Sequence, residues 1–298
     1  MPGRTIKKGN FSIYLLTHSI TEAGYEALTW LWTYERIIHA EVLTHRWSRN
    51  YSSSRAIPYV TMMEWVEKDP AQSLHVGSNR AGMQAGAEIE HLDLFRSEVN
   101  YKFKEMKAWC DGLIERYNPH KEVINRYTEP WSWIGGIATM GRAQYMNWLA
   151  LRATKYANAN IQRVAINSAR LFQESEPQGL APNQWHLPFI DKPAPYGKEI
   201  VDVKDDLIWS VARAAWCSYN NPTKDETFAK AKLRHDDCIR LAHATPCEHQ
   251  LRARRDDGQM GLVPGYDSYR MMIPGESVPE VDIVRLLEEY GDRDYLVA

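Results

Sequence analysis

The 298-residue chain has few cysteines, little net charge and no long apolar run, and each scarcity argues against a class of protein. Its four cysteines, Cys110, Cys217, Cys238 and Cys247, form no CxxC pair, which argues against a disulfide framework in a chain of this length. No apolar segment approaches the roughly 20 residues that a membrane span needs. The opening MPGRTIKKGNFSIYLL has basic residues but lacks the apolar segment and small-residue cleavage site of a secretory signal. A net charge of −2 is not the basic excess of a general nucleic-acid binder. There is no internal repeat. The expectation is a chain in a soluble, reducing, cytoplasmic setting, with neither nucleic acid nor membrane as partner and with enough residues for a sizeable core.

Polar and aromatic residues are present in unusual concentration. Eleven tryptophans and sixteen tyrosines suit both a core and the faces of flat heterocycles. Residues 44–55, THRWSRNYSSSR, pack one histidine, three arginines, one asparagine and four serines into twelve positions. Serine hydroxyls and backbone N–H groups at a turn can ring a phosphate, and arginine can grip it with two parallel bonds. The competing reading is a solvated polar turn that caps a helix.

Periodicity gives a coarse outline. Residues 11–43 read as strands, from the alternation of Phe11, Ile13 and Leu15 and from the β-branched and aromatic residues of ALTWLWTY and RIIHAEVL. The serine-rich stretch then lies at a strand end or in the turn after it, and Pro58 stops any long helix that begins there. One long helix is expected over 80–117, with Val99, Phe103, Met106, Cys110, Leu113 and Tyr117 on one face. A second is expected from Arg142 to Phe172. Residues 173–200 read as a proline-rich loop crossing over within one domain. Helices follow near 203–218 and 225–242, and the segment 251–298 reads as a C-terminal extension with a short helix near 279–290.

Three other segments draw attention. HATPCEH, residues 243–249, is compatible with a helix end and turn, or with a metal site shared with Cys238. The spacing is not a usual zinc pattern, so no metal is expected. Cys247 has no local basic cluster to lower its pKa. NWLALR, with Asn147 and Arg152, and HKEVINRYTEP, with Arg126, say little singly.

Together these segments resemble the flavin-dependent thymidylate synthases, the ThyX family. The family's arginine-histidine-arginine triplet and serine loop look like THRWSRNYSSSR. Its His-x-Thr/Ser-Pro-Phe-Glu-His segment looks like HATPCEH, its helix motif like NWLALR, its KE…R…P segment like HKEVINRYTEP, and the segment opening its usual chain like SVARAAWCSY at 210–219. SSSRAIP and WHLPFI are similar to long, viral (phage) members. The order differs: the segments that SVARAAWCSY and HATPCEH resemble precede the triplet in ordinary members and follow it here. The resemblance therefore implies a circularly permuted chain, which closely spaced termini allow. The fold implied is α+β and ThyX-like, a mixed or antiparallel sheet packed with long helices.

What the resemblance implies for sites goes position by position. Thr44, His45 and Arg46 take the triplet, with its first arginine lost. His45 and Arg46 would contact FAD, with Thr44, Asn50, Asn147, Ser218, His243, Thr245 and Glu248; Arg142 lies one position from a flavin-contacting arginine. Ser52, Ser53, Ser54 and Arg55 match the nucleotide-phosphate loop, and Arg126 lies one position from a second nucleotide arginine. Glu41 stands in place of a substrate-binding glutamine, and Tyr51 in place of an acidic residue. The loop is one residue shorter between Arg46 and Asn50. Arg152 matches the catalytic arginine held against the uracil, where a guanidinium favours the ionised base and so raises electron density at C5.

The reaction implied joins a one-carbon unit from methylenetetrahydrofolate to C5 of dUMP, with reduced FAD supplying hydride and NADPH recharging it, in a homotetramer that holds FAD between subunits. Two alternatives stay open. One is a dUMP hydroxymethylase, in which water completes the reaction and Tyr51 holds that water; the other is an inactive nucleotide- or flavin-binding homologue. UMP and dCMP remain possible substrates on sequence grounds.

Overall fold

The computed structural model describes residues 4–82, 84–190, 203–220, 227–241, 243–275 and 283–290. Its main sheet has the order β1-β2-β3-β5-β4, with β6 also on β2. The strands are β1 (Arg4–Lys8), β2 (Phe11–Thr21), β3 (Glu26–Glu35), β4 (Ser48–Tyr51), β5 (Trp133–Gly141) and β6 (Gln178–Leu180). All these pairings are antiparallel except β2 with β6, so the sheet is mixed.

Alternation sorts the two faces of the sheet. Phe11, Ile13 and Leu15 of β2 and Leu28, Trp30, Trp32 and Tyr34 of β3 join one buried cluster. Against them lie α5 (Arg142–Arg152) and α6 (Ala159–Gln173), whose Ile161, Val164, Ala165, Ser168 and Leu171 recur at helical spacing and are buried. Aromatic rings fill this layer: Trp30 stacks on Tyr145 at 5.4 Å, and Trp32 meets Trp148 at 5.8 Å. On the other face, Leu16, Leu31 and Ile137 pack with Phe189, Ala214 and Cys217. The last two belong to α7 (Lys204–Trp216) and the 3-10 turn after it, with α8 (Phe228–Arg240) behind.

Several sequence expectations change. Strand ends at Glu35, not residue 43; Arg36–Ile38 is a 3-10 turn and α1 is His39–Leu43. Ile38 and Val42 are both buried while Ala40 between them is exposed, a helical pattern and not the alternation of a strand, which β-branched composition disguised. Pro58 does not stop a helix but precedes one, α2 (Tyr59–Lys68), because its fixed φ suits a helix start. The helix expected over 80–117 begins at Leu92, as α3 (Leu92–Tyr117); Gly82 has a φ of +100°, which a helix cannot use. Only Phe103 and Cys110 of its expected inner face are buried. A short helix, α4 (Lys121–Ile124), and a 3-10 stretch, Asn125–Trp131, follow. The helix expected over 142–172 is two helices, because Asn158 caps the second by accepting from the Asn160 N–H.

The proline-rich loop holds β6 and β7 (Trp185–His186), and its residues 191–200 lie outside the described residues. The first part of the expected C-terminal extension is built into the body. A second sheet, β7-β8-β9, pairs β7 with β8 (Leu251–Ala253) and β9 (Tyr266–Ser268). Burial drives this: Leu251, Ala253 and Tyr266 cluster with Ala27 and Leu180 of the main sheet. The helix α9 (Ile283–Tyr290) stands where a short helix is expected. Among the described residues, no helix is long and apolar enough to cross a membrane.

Candidate functional site

The polar stretch 44–55 is divided by β4. Because side chains alternate along a strand, Asn50 and Tyr51 face opposite sides. Tyr51 turns to the tryptophan layer, where its hydroxyl accepts from Trp32 Nε1 at 3.2 Å and its ring meets His39 at 4.7 Å. Gly136 on β5 makes room for it: a Cβ there would lie 2.0 Å from the Tyr51 ring. Asn50 turns to α7. Its Nδ2 donates to the Ala214 carbonyl at 2.7 Å, and its Oδ1 accepts from Ser218 Oγ at 3.1 Å.

The chain then turns through Ser52–Arg55. The Ser53 N–H donates to the Ser218 carbonyl at 2.9 Å, and the Arg55 N–H donates to Ser53 Oγ at 3.2 Å. The 3-10 turn Thr245–Glu248 of HATPCEH packs on β4 and α7. The result is a cavity of about 490 Å³ lined by Asn50, Ser53, Arg55, Ser218, His243 and Thr245, among others. Segments at opposite ends of the chain thus meet in one cleft.

A second group forms at the end of α5. Arg152 is half-buried and held on several sides. Its Nε donates to His45 Nε2 at 3.0 Å, its Nη1 reaches Glu41 Oε2 at 3.2 Å, and its Nη2 donates to Thr44 Oγ1 at 3.1 Å. Thr44 Oγ1 in turn donates to the Glu41 carbonyl at 2.7 Å. His45 stacks on Trp47 at 5.1 Å and meets the edge of Trp148 at 4.9 Å. Burial, then the neighbouring Arg152, lowers its pKa to about 4. His45 is therefore neutral at pH 7, and because Nε2 accepts, its proton sits on Nδ1.

The other end of HATPCEH leads into a buried polar line. His249 Nδ1 lies 2.9 Å from Thr139 Oγ1, which lies 2.7 Å from Thr29 Oγ1. Thr29 Oγ1 is 2.7 Å from His186 Nε2, and His186 Nδ1 is 2.6 Å from Ser19 Oγ. Ser19 reaches the Tyr266 hydroxyl at 3.2 Å, which donates to the Tyr25 carbonyl. One proton polarity satisfies every member of this line, running from His249 Nδ1–H through to Tyr25, and it leaves only His249 Nε2 without a partner. Burial lowers both histidines to about 3.

No family model and no curated protein matches this chain. A solved structure does. The crystal structure of a UMP/dUMP methylase PolB from Streptomyces cacaoi bound with 5-Br dUMP is similar over 50% of this chain and 66% of that one. Identity is 16% and the TM-score is 0.39. This chain thus spans just under two thirds of that enzyme's length, and a likeness this slight decides neither fold nor chemistry. The functional reading rests on the side chains themselves.

The remaining expected residues fall in different places. Ser52 is buried, accepting from the Gly135 N–H at 3.2 Å. Ser54 is fastened to Glu129, and Arg36 donates to it at 3.2 Å, so its hydroxyl is already committed. Arg55 and Arg126 both approach Glu122, at 3.3 and 3.6 Å, and both are exposed. Arg46 and Asn147 are exposed. Arg142 points to Glu26 at 2.7 Å and lies over Phe172, and Glu248 pairs with Arg270 at 2.8 Å. Tyr51 and Trp47 belong to the packed layer. Cys238 and Cys247 lie in an apolar cluster, and burial raises Cys238 to about 11. Among the described residues no group of three or more such side chains is placed to hold a metal.

Arg234 was missed. It lines the cavity, its guanidinium lies over Trp216 at 4.5 Å, and its Nε is buried without a partner. The available signal was its place on α8: Ala231, His235 and Cys238 are that helix's buried residues, and Arg234 lies three and four residues from Ala231 and Cys238.

Proposed function

We propose that this chain is a flavin-dependent enzyme of the thymidylate synthase type, which transfers a one-carbon unit from methylenetetrahydrofolate to C5 of dUMP, with FAD as cofactor and NADPH as reductant. The observation that carries the reading is the shared cleft. HATPCEH and the serine loop are far apart in sequence and neither explains itself alone. They bring Ser53, Arg55, His243 and Thr245 around one cavity. We read the chain order as a circular permutation of the ThyX arrangement on the same ground.

The donors fit a phosphate-bearing ligand. Arg55, Arg234 and His243 face the cavity with Asp237 as its acidic residue, and Asp237 is paired with Arg240 at 2.8 Å. In this reading Ser53 and Arg55 bind the nucleotide phosphate, with Arg126 beside them. Arg46, Asn147, Ser218, His243 and Thr245 hold FAD, which supplies hydride when bound. Arg152, which lies on the α5 side of the sheet and not among the residues lining this cavity, faces in this reading the uracil of a nucleotide bound across a subunit contact. Its rigid mounting on His45 and Thr44 removes the entropy of positioning a long side chain, and a fixed cation stabilises negative charge developing on the base. Glu41, ion-paired to Arg152, tempers that charge until the base displaces it.

A homotetramer belongs to the same reading. It is supported by the apolar side chains that α3 leaves exposed, among them Leu94, Phe95 and Trp109. The hydroxymethyl alternative asked Tyr51 to hold a water, and Tyr51 faces the core instead.

The deciding experiment is incubation with FAD, dUMP, methylenetetrahydrofolate and NADPH in ¹⁸O-labelled water, followed by mass spectrometry of the nucleotide. An unlabelled 5-methyl product is expected. A labelled hydroxymethyl product would transfer the assignment to a hydroxymethylase. No product, with no flavin retained, would end the enzyme reading.

A further inference from the structure

A second concave region lies away from the cleft, behind the serine loop. It consists of two cavities, of about 730 and 320 Å³, that share Lys7, Gly9, Asn10 and Trp133. The larger is cationic. Lys7, Lys8, Lys68, Arg96 and Arg163 line it against Glu35 and Asp69. Glu35 is paired with Arg163, and Asp69 Oδ2 accepts from the Asn10 N–H at 2.8 Å. The three lysines have no acidic partner among the described residues. The smaller cavity is largely apolar at its far end, where Leu31, Ile57, Met62, Trp65 and Val66 line it beside Trp133.

The cradle is built rather than incidental. The turn between β1 and β2 holds Gly9 at a φ of +60°, and a Cβ there would lie 2.6 Å from Asp69 Oδ2. Trp133 Nε1 donates to the Asp69 carbonyl at 2.7 Å. The turn and the end of α2 are thus fastened together around Trp133. Lysines on an edge strand commonly serve to keep strands from pairing, and Lys7 and Lys8 lie on the edge strand β1. Lys68 and Arg96 do not, yet they converge on the same space.

An independent sign comes from buried groups left unmatched. Glu35 is 2% exposed and its Oε2 has no hydrogen-bond partner, and the Nε atoms of Arg96 and Arg163 are buried and equally bare. Unpaired buried polar atoms are costly. Glu35, Arg96 and Arg163 all line the larger cavity, so these bare atoms mark its wall as the polar end of the groove.

We propose that this groove binds a molecule joining a flat heteroaromatic ring to a polyanionic tail, the tail at Lys7, Lys8 and Lys68 and the ring toward Trp65 and Trp133. The site is separate from the cleft: Ser52 lines the groove and Ser53 lines the cleft, on opposite sides of one loop. It does not rest on the flavoenzyme reading. Phosphates and carboxylates would both serve as the tail.

Calorimetric titration of the full chain distinguishes them. Adenosine triphosphate carries a phosphate tail and pteroyltriglutamate a carboxylate tail; adenosine and inorganic tripolyphosphate are the separate halves. At least one tailed ring is expected to bind about 10-fold or more tighter than either half alone, and which one does so names the tail. The exposed double variant Lys7→Glu/Lys68→Glu should weaken it about 10-fold or more and leave dUMP binding unchanged. Three results would each overturn the proposal. They are tripolyphosphate binding as tightly as both tailed rings, unchanged affinity in the double variant, and displacement of the bound probe by dUMP.

Discussion

The cleft and the buried line beneath it are made from the same kinds of side chain, and HATPCEH contributes to both. His243 lines the cleft and is exposed; His249, six residues later, is fully buried. In the line, serine, threonine, tyrosine and histidine spend nearly all their capacity on one another. Around the cleft and beside Arg152, cations face open space or are held half-buried. Residue type therefore does not separate structural from functional polarity here. What separates them is whether the partner of each group lies inside the protein or must come from outside.

Acid should produce the largest effect, and on the line side of this comparison. His186 and His249 are held to about 3 and His45 to about 4 in the fold, against roughly 6.5 when unfolded. Below about pH 6.5 the unfolded chain binds protons that the folded chain refuses, so stability is full above that pH and falls as pH drops toward 4. The loss is about 1.4 kcal/mol per pH unit for each histidine. Urea denaturation across that window should show it, and His186→Gln should flatten the slope by about one proton. A slope that is flat in the wild type would mean the line carries charge.

Arg152→Ala sharpens the other side. Product formation should fall about 10²–10³-fold while flavin absorbance in the purified protein is retained. Unchanged turnover would show that the guanidinium is only a strut for His45.

Thr139→Val should break the line between Thr29 and His249. Losing the hydroxyl of a central member should cost about 1–3 kcal/mol, read as a lower urea midpoint with dUMP affinity unaltered. Weaker dUMP binding with no loss of stability would reverse the assignment of the two regions.

The smallest effect belongs to Arg55→Ala, in the cleft. Its guanidinium is largely exposed and already approaches Glu122 at 3.3 Å. A charge-assisted phosphate contact of about 1.5 kcal/mol would translate to roughly 10-fold weaker dUMP binding. Uridine, which lacks the phosphate, should be indifferent to the change, and calorimetry with both ligands measures the difference.

Much of this was written in the sequence. Alternation in β2 and β3, helical spacing in α6, and the concentration of donors at 44–55 are local patterns, and each reports a local cause: a pleat, a helix turn, a demand for partners. Elements whose cause is not local were misread. RIIHAEVL has strand composition, yet Ile38 and Val42 reach the core while Ala40 between them is exposed, a pattern that a helical turn gives and the two-residue period of a strand does not. The serine loop shows the limit most plainly. Four adjacent polar positions look alike in sequence, but Ser52 is spent on Gly135, Ser54 on Glu129 and Arg36, and only Ser53 and Arg55 line the cleft. Which hydroxyl faces the cleft depends on groups brought in by β5, by the Asn125–Trp131 stretch and by the 3-10 turn after α7. Arg234 is similar: its spacing from Ala231 and Cys238 on α8 sets it beside that helix's buried face, but only the packing of α7 against α8 puts Trp216 under its guanidinium. Sequence determined where polar groups are concentrated; tertiary structure decided which are already satisfied, because hydrogen-bond partners are distributed in space and not along the chain.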